Sequence, residues 1–351
     1  MQTIVITGVS GFWGRGVAQR LLSIPDLHVI GLDQRPPAAE LDGLNFIKAD
    51  IRNPLLVELF RAEQVNTVVH LAWREQGRRR EDDFESNVLG AMQLLGACVD
   101  AGVQQFVWRS TTAVYGASAE NPLYMPEETP LAAHADSAFI QDALEVERFI
   151  ASFAADYPAM RFATLRLANV IGADVDGPLN RLLRLPVWPD LLGFDPLFQV
   201  IDAEDAIAAL TQAALQPFAG PLNVAAEGVV SLDQLAGKLG RPTLPILHLL
   251  VYWSRPLAAS LPVSRQWLRW FPLEPDYLRY PWIGDLTRMS AEFGFTPCWN
   301  AEQAVQRMAE MLRMRKYQPA AAKQPFAADH LDDVLVRRGA ASQTPAESAD
   351  L

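Results

Sequence analysis

Cysteine and histidine are scarce: two and five, respectively, in 351 residues. Cys98 and Cys298 have no metal or redox spacing around them, and no two histidines stand at ligand spacing, so neither a metal site nor a disulfide framework is expected. Both thiols read as buried, in a reducing compartment. Basic residues are also in deficit, with 30 Lys and Arg against 41 Asp and Glu and a net charge of -11. That balance excludes a nucleic-acid face, which needs clustered positive charge. The one basic run, Arg78-Arg79-Arg80, meets Glu81, Asp82 and Asp83 at once and reads as a solvated helix start or loop. No uninterrupted apolar run reaches the ~20 residues that a spanning helix needs. The N-terminus lacks a basic region followed by an apolar run, so no signal peptide is expected. These absences together predict a cytoplasmic protein.

The chain is 50% hydrophobic and 20% charged, a globular composition long enough to bury a core without staples. Its first half alternates short apolar strands with amphipathic helices. Strands are expected at 3–8, 28–33, 45–50, 67–72, 105–111 and 161–172, and helices at 14–24, 54–63, 84–102 and 137–153. Apolar strands separated by helices imply an α/β fold, a doubly wound parallel sheet of Rossmann type with a smaller C-terminal substrate domain. The expected division gives 1–168 to the dinucleotide-binding domain, with 197–225 returning to it. Residues 169–196 and 226–316 make the smaller lobe, and 317–351, rich in Ala and Pro, a largely disordered tail with at most a short helix at 328–338.

"TGVSGFWG" (7–14) closes the first strand and opens the first helix. Gly8, Gly11 and Gly14 supply a tight turn, close approach of backbone to a pyrophosphate, and close helix–strand packing. Amides at the helix N-terminus then face phosphate charge. Asp33 ends the second strand about 20 residues later, where ribose recognition requires an acid. It should accept hydrogen bonds from an adenosine 2′-hydroxyl and favour NAD, while Arg35 keeps NADP open.

The chain here resembles the extended short-chain dehydrogenase/reductases, the family of NAD-dependent sugar-nucleotide epimerases and dehydratases. Thr7 to Gly14 fits the family's Thr-Gly-x-x-Gly-x-x-Gly in full. "ADI" (49–51), "VVHLAW" (68–73), "NVLGAMQLL" (87–95), "STTAVYG" (110–116) and "LRLANVIG" (165–172) follow in order, and the match runs to about residue 312. The resemblance implies a cofactor site of Gly8, Gly11, Phe12, Trp13, Gly14, Asp33, Gln34, Arg35, Asp50, Ile51, Leu71, Ala72, Trp73 and Asn87. Asp50 would contact the adenine. Trp13 stands where the family has a medium aliphatic residue, either as a bulkier packing group or as one that narrows the pyrophosphate channel. The resemblance also implies a homodimer built from the helices at 84–102 and 139–155.

One departure concerns the chemistry. In the family a tyrosinate removes the substrate hydroxyl proton, and a lysine four residues on lowers its pKa. A phenol titrating near pH 10 needs such a cation to act as a base at neutrality. Thr111 matches the family's substrate-binding hydroxyl, but the tyrosine position falls on Phe139 and the lysine position on Ala143. No tyrosine in this chain has a lysine four residues later. Losing a general base typically removes ~10²–10⁴-fold of rate. Asp142, Glu145, Tyr115, Tyr124, Glu127, Glu128 and His134 are the substitutes near enough in sequence to weigh, and none has a partner that would tune it.

Residues 241–283 are apolar and aromatic, with Trp253, Trp267, Trp270 and Trp282 among Arg255, Arg265, Arg269 and Arg279. They form a helical cap or dimer surface, an apolar substrate pocket, or a peripheral membrane contact. Three functions stay open: an epimerase/dehydratase-like oxidoreductase with a non-standard mechanism on a nucleotide-sugar or another alcohol or ketone, a catalytically silent NAD(P)-binding sensor, and a scaffold.

Overall fold

The computed structural model describes residues 2–74, 80–132, 137–251 and 274–317. The chain divides into units 1–309 and 310–351, and both cavities discussed below belong to the first. Trp253, Trp267, Trp270, Arg255, Arg265, Arg269, His134, the pair Arg78-Arg79 and the tail from 318 onward lie outside the described residues. Among the described residues, no helix is long and apolar enough to cross a membrane.

Seven strands build the central sheet: β1 Gln2–Thr7, β2 Leu27–Asp33, β3 Asn45–Lys48, β4 Val65–His70, β5 Gln105–Thr111, β6 Arg161–Leu167 and β7 Gly220–Val224. Their order is β3-β2-β1-β4-β5-β6-β7, and every pairing is parallel. Ile4, Val5 and Ile6 on β1 are fully buried, because a parallel sheet is covered on both faces by its crossover helices. The direction of winding reverses between β1 and β4, and the open ends of these strands are where such a sheet forms its crevice.

The helices α1 Phe12–Leu22, α2 Leu56–Ala62, α3 Gly90–Ala101, α4 Ala138–Asp156 and α5 Ala203–Leu215 cover the sheet. Helix α1 packs beside α5, and α3 packs between α2 and α4. Val17, Ala18 and Leu21 of α1 meet Ile207, Leu210 and Ala213 of α5 in one buried cluster over the sheet. Each large aliphatic side chain buried there contributes roughly 1.5–3 kcal/mol.

Two expected elements are interrupted. The helix expected at 84–102 begins earlier, at Arg80–Phe84, and passes through a π-helical turn, Glu85–Leu89, before α3. Such turns insert a residue and often mark a site whose side chain is needed elsewhere; here it is Asn87, fully buried. The strand expected at 161–172 breaks at Ala168. Its amide bonds the Val224 carbonyl at 2.9 Å, and Asn169–Ile171 leaves the sheet to pair with Val200–Asp202.

The expectation of two buried thiols holds for Cys98 and fails for Cys298, which is exposed. The Asp205 carboxylate accepts the amides of Cys298 (2.9 Å) and Trp299 (3.2 Å). The same carboxylate holds the Cys298 thiol above its ordinary pKa.

Candidate functional site

The glycine loop forms a cradle that side chains would fill. Gly8 has φ +72°, and a Cβ placed on it would stand 2.6 Å from the Ala72 amide nitrogen. A Cβ on Gly14 would strike the Gly8 carbonyl and Val9. Gly11 caps α1 in extended geometry without any side-chain hydrogen bond, so the first-turn amides keep their donors for an anion. Asp33 follows at the end of β2, where its carboxylate accepts the amides of Ser10 (3.1 Å) and Arg35 (3.2 Å).

These residues open onto a cleft of about 700 Å³. Gly8, Gly11, Asp33, Gln34, Arg35, Ile51, Leu71, Ala72 and Trp73 line it, all expected from the sequence. Leu32, Ala49, Arg74, Asp82 and Ser86 line it too, and sequence reasoning missed them. Arg74 comes from the segment after β4, Asp82 from the helix before the π-turn and Ser86 from the π-turn itself, whose approach only the fold reveals.

Five expected cofactor residues do not line the cleft, Gly14 among them because it packs against the Gly8 carbonyl and Val9. Asp50 does not line the cleft: Arg52 holds its carboxylate through Nη2 at 2.8 Å and Nε at 3.0 Å, and Gln34 donates to it at 2.8 Å. The Arg52 hydrogen bonds keep the Asp50 pKa below its ordinary value. Asn87 is structural: its amide clasps the Arg74 backbone, accepting from N–H at 2.9 Å and donating to C=O at 2.8 Å. Phe12 is partly exposed and stacks edge-on with Trp13 at 5.2 Å. Trp13 packs on the core but lines a second, inner cavity rather than the cleft.

Beneath the cleft, the Thr7 hydroxyl accepts from the amides of Leu71 (3.2 Å) and Ala72 (3.3 Å). Its own proton then goes to His70 Nδ1 at 2.7 Å. Burial, with Arg109 nearby, pushes the His70 pKa down to about 3, so the ring stays neutral.

The inner cavity measures about 120 Å³. Trp13, Phe139, Ile140, Leu167, Leu179 and Trp282 supply most of its apolar wall, and its polar groups include Arg109, Thr111, Asn169 and Tyr277 and two carboxylates, Asp176 and Glu274. Thr111 Oγ1 accepts the Ala113 amide at 3.2 Å. Phe139 sits edge-on to Trp73, ring centroids 6.0 Å apart. Ala143 is buried one turn further along α4.

None of the substitute bases described reaches this cavity. Asp142 is buried and committed to Asn87 (3.0 Å) and Arg80 (2.6 Å); Arg80 is the exposed helix start expected from the sequence, with an ion pair to Asp142 in addition. Glu145 pairs with Arg148 at the surface. Tyr115 donates to Asn223 and accepts from Arg166, each at 2.8 Å; burial raises its pKa. Glu127 faces away, accepting the Asn223 amide at 2.8 Å, and burial raises its pKa as well. Tyr124 is 55% exposed, and Glu128 is exposed.

Tyr277 enters the cavity from outside the expected set. Its hydroxyl donates to the Ala113 carbonyl at 2.8 Å. Burial, reinforced by Glu274 and Asp276, raises its pKa far above the ordinary phenol value. A phenol so placed is a poor base.

Comparison with known proteins fits this arrangement. An uncharacterized protein of Mycobacterium tuberculosis is 32% identical over 312 residues, covering 86% of this chain and 82% of its own. The UDP-glucose 4-epimerase of Erwinia amylovora is 29% identical over 193 residues, 51% of this chain and 56% of its own. The structure of UDP-glucose 4-epimerase from Thermotoga maritima superposes with a TM-score of 0.67 at 20% identity, covering 90% of this chain and all (100%) of that one. The model of the NAD dependent epimerase/dehydratase family matches residues 4–224, and the chain belongs to that family.

Proposed function

We propose that this protein binds NAD in the cleft and holds it as a ligand, without the proton transfer that a tyrosine–lysine pair provides. The observation that carries this reading is Phe139 in the wall of the inner cavity, where the two lining carboxylates are already engaged, Asp176 by Arg181 and Arg184 and Glu274 by the Ser137 amide, and no described imidazole or activated phenol stands in for a tyrosinate. Asp33 would accept the adenosine ribose hydroxyls, and the amides at the start of α1 would hold the pyrophosphate. Gly11 would allow the ligand a backbone-close approach, while Gly8 and Gly14 keep the turn and the helix packed tightly enough to present it. Bound NAD supplies a hydride acceptor. What the chain itself adds is binding, orientation and an apolar wall that excludes water. Arg35 beside Asp33 leaves NADP as the second ligand to test.

One observation favours turnover of a small alcohol or ketone instead: the Thr111 side chain belongs to the inner cavity, where it can bind a substrate oxygen. Titration calorimetry with NAD+, NADH, NADP+ and NADPH tests the shared premise, and Asp33→Ala should weaken NAD binding by ~10–100-fold, the worth of a charge-assisted hydrogen bond. Silence of the parent toward candidate substrates, with turnover gained in Phe139→Tyr/Ala143→Lys, supports the ligand-holding reading. Parent turnover lost in Thr111→Ala supports the enzyme.

Two associations belong to the same reading. A homodimer would use the helical stretch at 84–102 and α4. A peripheral lipid contact would use the exposed Leu244, Leu247, Leu249 and Leu250, which sit in a stretch, 241–273, that holds four arginines and no acid.

A further inference from the structure

The sheet sets the direction in which a dinucleotide must lie. With its first ribose at Asp33 on β2 and its pyrophosphate at α1, after β1, the second nucleoside falls over the ends of β4 and β5, across the winding reversal. Four large side chains already stand there. Trp73 follows β4, Arg109 belongs to β5, Trp13 reaches across from α1, and Phe139 from α4.

They pack on one another. The Arg109 guanidinium lies 4.8 Å above the Trp13 ring, an arrangement with its own cation–π stabilisation. Trp73 stands edge-on to Phe139 and also to Trp108, whose centroid is 5.7 Å away. The cleft ends at Trp73 and Arg74, the inner cavity begins at Trp13 and Arg109, and no described residue lines both. The inner cavity's 120 Å³ is well under the ~300 Å³ at which ligand pockets begin. A nicotinamide riboside does not fit it without displacing those side chains.

We infer that this chain grips the adenosine diphosphate portion of its ligand and gains little from the nicotinamide, because Trp13, Arg109, Trp73 and Phe139 fill the second half of the cleft. The inference rests on the ligand-holding reading above and sharpens its ligand class: adenosine diphosphates with a substituent on the β-phosphate, of which ADP-ribose is the simplest test. Charge works in the same direction. The oxidised nicotinamide ring carries a positive charge, and at this place it meets the Arg109 cation. Reduced dinucleotide is therefore held at least as well as oxidised.

The test is calorimetric titration of the full chain with NAD+, NADH, ADP-ribose and AMP. ADP-ribose should bind within about threefold of NAD+, because the two differ only in the group with no room. NAD+ binding tenfold or more tighter than ADP-ribose overturns the inference while leaving NAD binding intact. Absence of binding by all four ligands defeats the ligand-holding reading, and the inference falls with it. The pair Trp13→Ile/Arg109→Ser removes two of the four obstructing side chains, so NAD+ should then gain about tenfold over ADP-ribose. Arg109→Ser alone, which leaves the packed indole in place, should raise the NAD+ to NADH affinity ratio. An unchanged ligand ranking in both variants also overturns it.

Discussion

Glu147→Ala should be among the most damaging single changes in the chain, although the side chain touches neither cavity. Glu147 and Arg166 form an ion pair with each side chain only 5% exposed. Arg166 donates through Nη2 at 2.6 Å and through Nε to both carboxylate oxygens at 3.1 Å. Ser110 adds a fourth hydrogen bond, its hydroxyl 2.5 Å from Oε1. Truncation leaves the guanidinium with Tyr115 and the Glu127 carbonyl as its hydrogen-bond acceptors, and leaves the Ser110 hydroxyl without its acceptor. An uncompensated buried charge costs about 3–5 kcal/mol, and an unsatisfied hydroxyl about 1 kcal/mol more. At an unfolding entropy of ~2.1 cal/mol/K per residue, a unit of roughly 300 residues loses on the order of 6–9 °C in Tm. Differential scanning calorimetry and urea melts measure it. The second variant, Glu147→Leu/Arg166→Met, removes both charges and should recover at least half of the loss, since an apolar pair of similar volume is nearly neutral. A Glu147→Ala protein melting within 2 °C of the parent, or a double variant no better than the single, refutes the reasoning.

Three further outcomes follow from the geometry. Gly14→Ala should abolish NAD binding by calorimetry and lower the urea midpoint, because the new methyl meets the Gly8 carbonyl, a backbone atom that cannot step aside. Acid should destabilise the fold through His70, whose pKa falls from 6.5 unfolded to about 3 folded. Below pH 6.5 the unfolded state takes a proton that the folded state refuses, so stability drops by up to ~1.4 kcal/mol per pH unit as pH falls toward 3. Urea melts at pH 7 and pH 5 should show a smaller loss for His70→Asn than for the parent. Thiol titration should count one reactive cysteine in the native protein and two in urea, with the Cys298 rate still rising above pH 9 because Asp205 raises its pKa from 9.0; two reactive native thiols would contradict the burial of Cys98.

Much of the fold was legible because local and global signals agree. β1 and β5 carry runs that suit a strand buried on both faces, and the glycine loop joins β1 to α1 with the acid at the end of β2 where ribose recognition needs it. The site was legible where function follows from backbone: Gly8, Gly11 and Asp33 line the cleft because a tight turn and a strand end fix them. It was not legible where a side chain chooses between partners. Asp50 faces Arg52 rather than the cleft because a guanidinium two residues away offers it two donors. Asp142 turns to Asn87 and Arg80, and Glu127 to Asn223, partners 55 and 96 residues away along the chain. Trp13 belongs to the inner cavity because Arg109 from β5 stacks on it, a contact that no spacing along α1 announces. Tyr277 arrives from far along the chain in the same way.

Asn87 gives the molecule a mechanical property. Its side-chain amide replaces a missing peptide partner for Arg74 on one side and takes hold of Asp142 on the other. Asp142 lies two residues from Ile140 and three from Phe139, both in the wall of the inner cavity. The rim of the cleft at Arg74 and the floor of the inner cavity on α4 are thus two ends of one rigid strut. One side chain ties the α4 wall of the second chamber to the rim of the first, at the end of the cleft away from Asp33.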